Sequence, residues 1–234
     1  MDPSRLVKSV LLLLAVVGLT RSFANADSIS VISGTPNTSN YVNASGSITP
    51  GSGSVTIALS NNLTNTQVVS VGQNISGIYF QVSGSSGSPS LTSSSGMSTS
   101  VANGTGTLLG TVNPTGWTSG STGGYLYVCV ICPGGNPAAG SELTVIGGTG
   151  SGSYANANGS INNNSPHNPF LVGPVTFTLS VAGVTSNSQF SNVILQFGTK
   201  ATPPVQMPEG ASLPFIVLTA ATILGGIGHR FRRT

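Results

Sequence analysis

The chain has 234 residues, only 5% of them charged, and its formal charge of +3 comes from its ends. Between Asp27 and Glu209 it holds Lys200 against Asp27, Glu142 and Glu209, a net of −2. That excludes a basic patch for phosphates, and with it nucleic acid as a partner. Ordinary soluble proteins carry about 25% charged residues, so this surface must be built from Ser, Thr, Asn and Gly.

Arg5 and Lys8 precede an apolar stretch at 10–19, and Ala24-Asn25-Ala26 follows as an A-x-A site. The order is that of a secretory signal peptide over 1–26, cleaved after Ala26, with an apolar stretch too short to span a bilayer. Beyond it the periodicity is that of strands. Residues 54–59 and 175–181 alternate small polar with apolar side chains, the period of a half-buried strand. Further strands are expected at 28–33, 67–71, 77–83, 105–112, 125–131, 142–146 and 192–198. Gly-, Asn- and Pro-rich turns separate them. The fold class expected for 27–199 is therefore all-β, a single antiparallel sandwich or jelly roll. Its shared core is expected to hold Ile57, Leu59, Phe177, Leu179, Ile194 and Phe197. Two Ser- and Gly-rich stretches, 83–100 and 147–169, read as long loops. Residues 200–206, with Pro203-Pro204, read as a stiff spacer.

Enzymes draw on Asp, Glu, His, Lys and Cys for acid–base and metal chemistry. No Asp follows Asp27, so neither a Ser-His-Asp triad nor an aspartic dyad forms from the interior. We expect no catalytic residues, no metal site and no cofactor. Gly104 to Gly110 nearly spells a dinucleotide fingerprint, but its last glycine falls one position late and the segment reads as strand. Cys129-Val130-Ile131-Cys132 is a C-x-x-C that ends a strand instead of opening a helix, which is where redox motifs find their stabilised thiolate. A local disulfide, two buried thiols and a redox or metal pair all remain open; export favours oxidation. Three extended residues span about 10 Å, beyond the roughly 7 Å limit for a bridge, so a disulfide requires the chain to turn by Cys132. His167, between Pro166 and Pro169, reads as a loop residue bonded locally. Trp117, Tyr125, Tyr127 and Tyr154 read as core or cross-strand aromatics, with a sugar-stacking platform as the alternative. Seven N-x-[ST] sequons follow from a composition rich in Asn, Ser and Thr and carry no argument.

The C-terminus has three parts. Pro208-Glu209 comes first, then an uncharged apolar run at 211–228, then Arg230, Arg232 and Arg233. Eighteen such residues suffice for a transmembrane helix, and the arginines hold its far end in the cytoplasm. A lipid-anchor signal would end in its apolar stretch, and no L-P-x-T-G precedes the helix. The layout of 207–234 resembles the PEP-CTERM sorting domain of Gram-negative bacteria, with Gly210 where that family usually has a second proline. The resemblance covers about an eighth of the chain. It implies recognition by an exosortase, a membrane-bound processing enzyme, and association with exopolysaccharide. The body is also similar to uncharacterised bodies carrying such tails, which implies no activity. The expected function is that of an exported envelope or extracellular-matrix protein, held in the inner membrane and then sorted. A secreted carbohydrate-binding module is the alternative, and a periplasmic thiol oxidoreductase the third reading.

Overall fold

The computed structural model describes residues 26–132, 143–163, 167–199 and 205–206. Most of the expected signal peptide, the sorting motif and the apolar run at 211–228 lie outside these residues. Among the described residues no helix is long and apolar enough to cross a membrane.

The fold is all-β. Its strands are β1 (Asp27–Ser33), β2 (Val42–Gly51), β3 (Ser54–Asn61), β4 (Ile75–Val82), β5 (Ser90–Ala102), β6 (Thr105–Val112), β7 (Thr118–Thr122), β8 (Tyr125–Cys129), β9 (Gly152–Ser153), β10 (Phe170–Ser180), β11 (Phe190–Phe197) and β12 (Val205–Gln206). They form two antiparallel sheets. One has the order β1-β2-β3-β10-β5-β6-β9, the other β12-β11-β4-β8-β7.

Alternation in the sequence becomes two faces in the larger sheet. Ile57 stands opposite Phe177 and Val55 opposite Leu179, all fully buried. On the other face the same register aligns Ser28, Ser47, Ala58, Thr176 and Ser95 across five strands, and Thr49, Thr56, Thr178 and Ser93 across four. The smaller sheet contributes Ile78, Phe80, Leu126, Val128 and Leu195 to the same core as Ile57 and Phe177. Trp117 lies in that core with its ring centroid 4.5 Å from that of Phe177. A second, smaller core gathers Tyr41, Leu63, Val68, Val101, Ile146, Tyr154, Ile161 and Phe170.

Several expectations are corrected. Most of the loop expected at 83–100 is the 13-residue strand β5. It runs between β10 and β6 with its backbone paired on both sides, which small Ser side chains permit without adding any apolar signal. Its hairpin to β6 turns at Asn103-Gly104, where φ is +50° and +71°. Both central residues of a type I′ turn need positive φ, which Asn and Gly supply most cheaply.

Residues 67–71 are not a strand. Single-turn 3-10 helices at Asn65–Gln67 and Val71–Gln73 flank them. The T-x-x-Q and S-x-x-Q spacings explain this. Gln67 Oε1 accepts from the Thr64 N–H and Gln73 Oε1 from the Ser70 N–H, each at 3.0 Å, tying off the first turn. Of the strand expected at 142–146, the described residues 143–146 make bridges only at Val145, which pairs with Ile75 on one side and Leu171 on the other. In β11 the register shifts after Ser191, and Asn192 has φ +48°. Leu195, not Ile194, therefore joins the main core, while Phe197 is only partly buried against it. The spacer at 200–206 ends in β12, which pairs Val205 with Leu195 and Gln206 with Ile194.

Phe177→Ala should cost about 3–5 kcal/mol, because it empties the centre of the main core and unseats Trp117. Thermal melting followed by circular dichroism should show one transition at a lower temperature. Two separable transitions would mean that the sheets unfold independently.

Candidate functional site

Chemistry-bearing side chains concentrate at two places, the Cys129–Cys132 turn and the segment 143–170. Cys129 and Cys132 are joined in a disulfide with a Cα–Cα distance of 5.4 Å. The turn that this requires is made by Val130 and Ile131, whose N–H groups both donate to the Ser76 carbonyl at 2.9 and 3.5 Å. Gln196 Nε2 donates to the Ile131 carbonyl at 2.9 Å, and Tyr79 OH donates to Gln196 Oε1 at 2.9 Å. Thr118 Oγ1 lies 3.3 Å from Cys132 Sγ. Gly77 faces Cys129 so closely that a Cβ there would sit 2.7 Å from the cysteine Cβ. Cys129 is fully buried. The bridge begins at the last residue of a strand and lies against neutral amides and hydroxyls; among the described residues no Lys or Arg is present to lower a thiol pKa.

The segment 143–170 is fastened by amides. Thr144, Val145 and Ile146 are bonded through the backbone to Ile75 of one sheet and Leu171 of the other. Asn61 Nδ2 donates to the Gln73 and Val145 carbonyls at 2.9 and 3.1 Å. Gln73 accepts from the N–H groups of Val69 and Ser70 and donates to the carbonyls of Thr38, Tyr41 and Gln67. Asn163 and Asn103 pair reciprocally at 3.2 and 3.1 Å. Asn168 accepts from the Val101 N–H and donates to its carbonyl, as a neighbouring strand would. Asn74 Oδ1 and Ser76 Oγ, both buried, have no hydrogen-bond partner among the described residues, and each group left so costs roughly 1–3 kcal/mol.

A sugar-stacking platform does not assemble from the four aromatics considered for it. Tyr154 is fully buried, its hydroxyl donating to the Gly147 carbonyl and accepting from the Gly150 N–H. Trp117 is buried, its Nε1 donating to the Leu143 carbonyl at 2.7 Å. Tyr127 packs on Tyr79 with ring centroids 5.6 Å apart and lies over the Gly120 backbone. Tyr125 is half-buried beside them in sequence but is not stacked with either. The residues missed from sequence are the buried amides Asn61, Gln73, Asn74 and Gln196. In a chain so rich in Asn their composition carries no signal; only the two x-x-Q capping spacings were available.

His167 is partly exposed and is not without an interaction partner. Among the described residues no three His, Cys, Asp or Glu side chains converge as metal ligands. Ala24, Pro208, Glu209, Arg230, Arg232 and Arg233, along with Glu142 and Lys200, lie outside the described residues. Asp27 is the one Asp, Glu, Lys or Arg inside them. Burial raises its carboxyl above the usual range, opposed by a hydrogen bond from the Phe190 backbone. Burial, with Tyr127 adding, pushes Tyr79 from 10 up to about 12. Compared with known proteins, the chain matches no family model and no curated sequence.

Cys129→Ser/Cys132→Ser protein should fold and be exported, losing about 1–2 kcal/mol, because so short a loop restricts the unfolded chain little. An insulin-reduction assay run alongside should show no turnover; turnover abolished by the double substitution would make the pair catalytic.

The pH dependence follows from the same groups. Both folded-state values are raised, so each group's stabilising contribution is present at low pH and lost as pH rises through its folded value. Protonation of Asp27 should therefore not destabilise the fold on acidification. Stability should fall as pH climbs from 10 to about 12 and Tyr79 must ionise. Melts across pH check both arms: Asp27→Asn should alter only the acid arm, and Tyr79→Phe should shrink the alkaline loss.

Proposed function

We propose that this chain is a non-enzymatic, exported envelope or matrix protein, directed by a cleaved signal peptide and a PEP-CTERM-like tail. Residues 27–199 form its β-sandwich body, carried outside the cytoplasm, with the inner membrane as the first anchorage. An exosortase-type enzyme then releases it into an exopolysaccharide-rich layer. The observation that carries this reading is the neutrality of the body. Its described surface and interior are held by hydroxyls and amides, with Asp27 as the lone charged side chain. Such a surface hydrates well and does not repel its neighbours, which suits dense packing in a layer. The Cys129–Cys132 bridge adds support, since disulfides persist in oxidising compartments.

The tail is tested in the intact cell. Glu209→Ala should block maturation and leave a longer, membrane-retained precursor, while the body keeps its fold. Mature protein of unchanged size at the cell surface in that variant would show that Pro208-Glu209 is a bystander. Removing Arg230, Arg232 and Arg233 should release or mis-orient the precursor, because the bias that stops transfer is gone.

A further inference from the structure

We infer that the outer edge of β1 binds a second copy of this chain, the two β1 strands pairing antiparallel about a two-fold axis at Ser30. A strand edge presents a row of N–H and C=O groups that another strand can use. Proteins usually blunt it by bulges, Pro, charged side chains, shortness or a covering loop. The other edges among the described residues are blunted in these ways. β9 and β12 are two residues each. Beyond β9, the edge of β6 carries a register shift at Leu108–Gly110. Along β7, Ser121 bonds to Ser88 and Ser119 to the Pro89 carbonyl, so the chain before β5 covers it.

β1 is guarded least: of these devices it has only a charge at its first residue, Asp27, which is hydrogen-bonded to the Phe190 backbone. It pairs with β2 over seven consecutive residues without a shift, contains no Pro, Lys or Arg, and among the described residues meets no further strand on its other side. Its pattern is self-complementary. Ile29 and Val31 face the core at 3% and 5% exposure, while Ser28, Ser30 and Ile32 face outward. A two-fold at Ser30 is the register that uses all seven residues. It sets Ile29 opposite Val31 of the second copy, Ile32 opposite its Ser28, and Asp27 opposite its Ser33. Core faces core, surface faces surface, and no like charges meet. Ile32, the most exposed large apolar side chain among the described residues at 67%, gains a neighbour.

The test uses the full chain, exported and assayed in intact cells. In Ser30→Cys protein, mild oxidation should join the two copies, because residues directly opposite in an antiparallel pair are about 4.5–5.5 Å apart, within disulfide reach. Thr56→Cys, exposed on the same sheet face but away from the edge, is the control. A disulfide-linked dimer from Ser30→Cys alone, on a non-reducing gel, is the expected result. No dimer at normal surface amounts, or equal dimer from both variants, overturns the proposal. A second arm avoids cysteines. Ser30→Lys and Ser30→Glu should each weaken self-association severalfold in detergent solution, and mixing the two should restore it as a heterodimer. Association unchanged in both single variants overturns the two-fold at Ser30.

Discussion

Absence of charge is the constraint on which the rest of this structure depends. With Asp27 the lone charged side chain among the described residues, buried polar groups cannot be answered by ion pairs. Amides and hydroxyls must do it, and a primary amide is well suited because it carries both donors and an acceptor. Gln73 shows the consequence: its one side chain replaces five backbone partners for a stretch that could not form a ladder. Each of these bonds contributes only about 0.5–1.5 kcal/mol net. Losing the amide would strand several buried groups at once, which is where the larger cost lies.

The same device joins the two sheets. Val145 pairs with Ile75 on one side and Leu171 on the other, and Asn61 Nδ2 donates to the Val145 carbonyl from the end of β3. One short segment thus ties β3, β4 and β10 together with neutral hydrogen bonds, at the boundary between the main and second cores. Gln196 plays the corresponding part on the smaller sheet, linking Tyr79 to the Cys129–Cys132 turn. Such bonds are nearly insensitive to salt, unlike pairs of exposed charges. A body built this way keeps its internal connections whatever the ionic strength around it.

How far the fold was legible follows from where apolar residues alternate. β3 and β10 carry that period and lie where it places them, β10 starting five residues before its alternating stretch, and β1, β4, β6 and β8 match their expected spans to within two residues. β5 was illegible because Ser stands at exposed and inward positions alike, with Gly96 also inward and Met97 exposed, so the apolar period vanishes although the backbone is paired on both sides. β2, with Gly, Ser and Pro among its residues, was lost in the same way. In β11 alternation alone cannot say which of Ile194 and Leu195 turns inward, because one extra residue at Asn192 reverses the faces. Tyr154 lies in a stretch with the composition of a mobile loop. Its burial depends on contacts with 41–71 and 101–106, distant in sequence, and no local pattern reports them. The cysteine turn was legible only as a condition, that the chain must bend by Cys132. Val130 and Ile131 meet it by bonding to Ser76, a partner more than fifty residues away.

A chain this poor in charge also lacks the commonest means of keeping sheets apart, so geometry has to supply it. The outward face of the larger sheet is rowed with Ser, Thr and Ala from β1 to β5, which hold water, and its exposed large apolar side chains, Ile32, Met97, Leu108 and Leu109, lie toward its two ends. Its edges are managed by shape: the register shift in β6, the brevity of β9, and in the smaller sheet the segment lying along β7. Such measures act one strand at a time, whereas net charge acts over the whole surface at once. A single strand that lacks most of them is therefore enough to set how copies meet. In β1 the omission coincides with an unshifted register and an exposed Ile32, so the least protected edge is also the best template for orderly pairing. Neutrality permits close approach, and the edges decide its geometry.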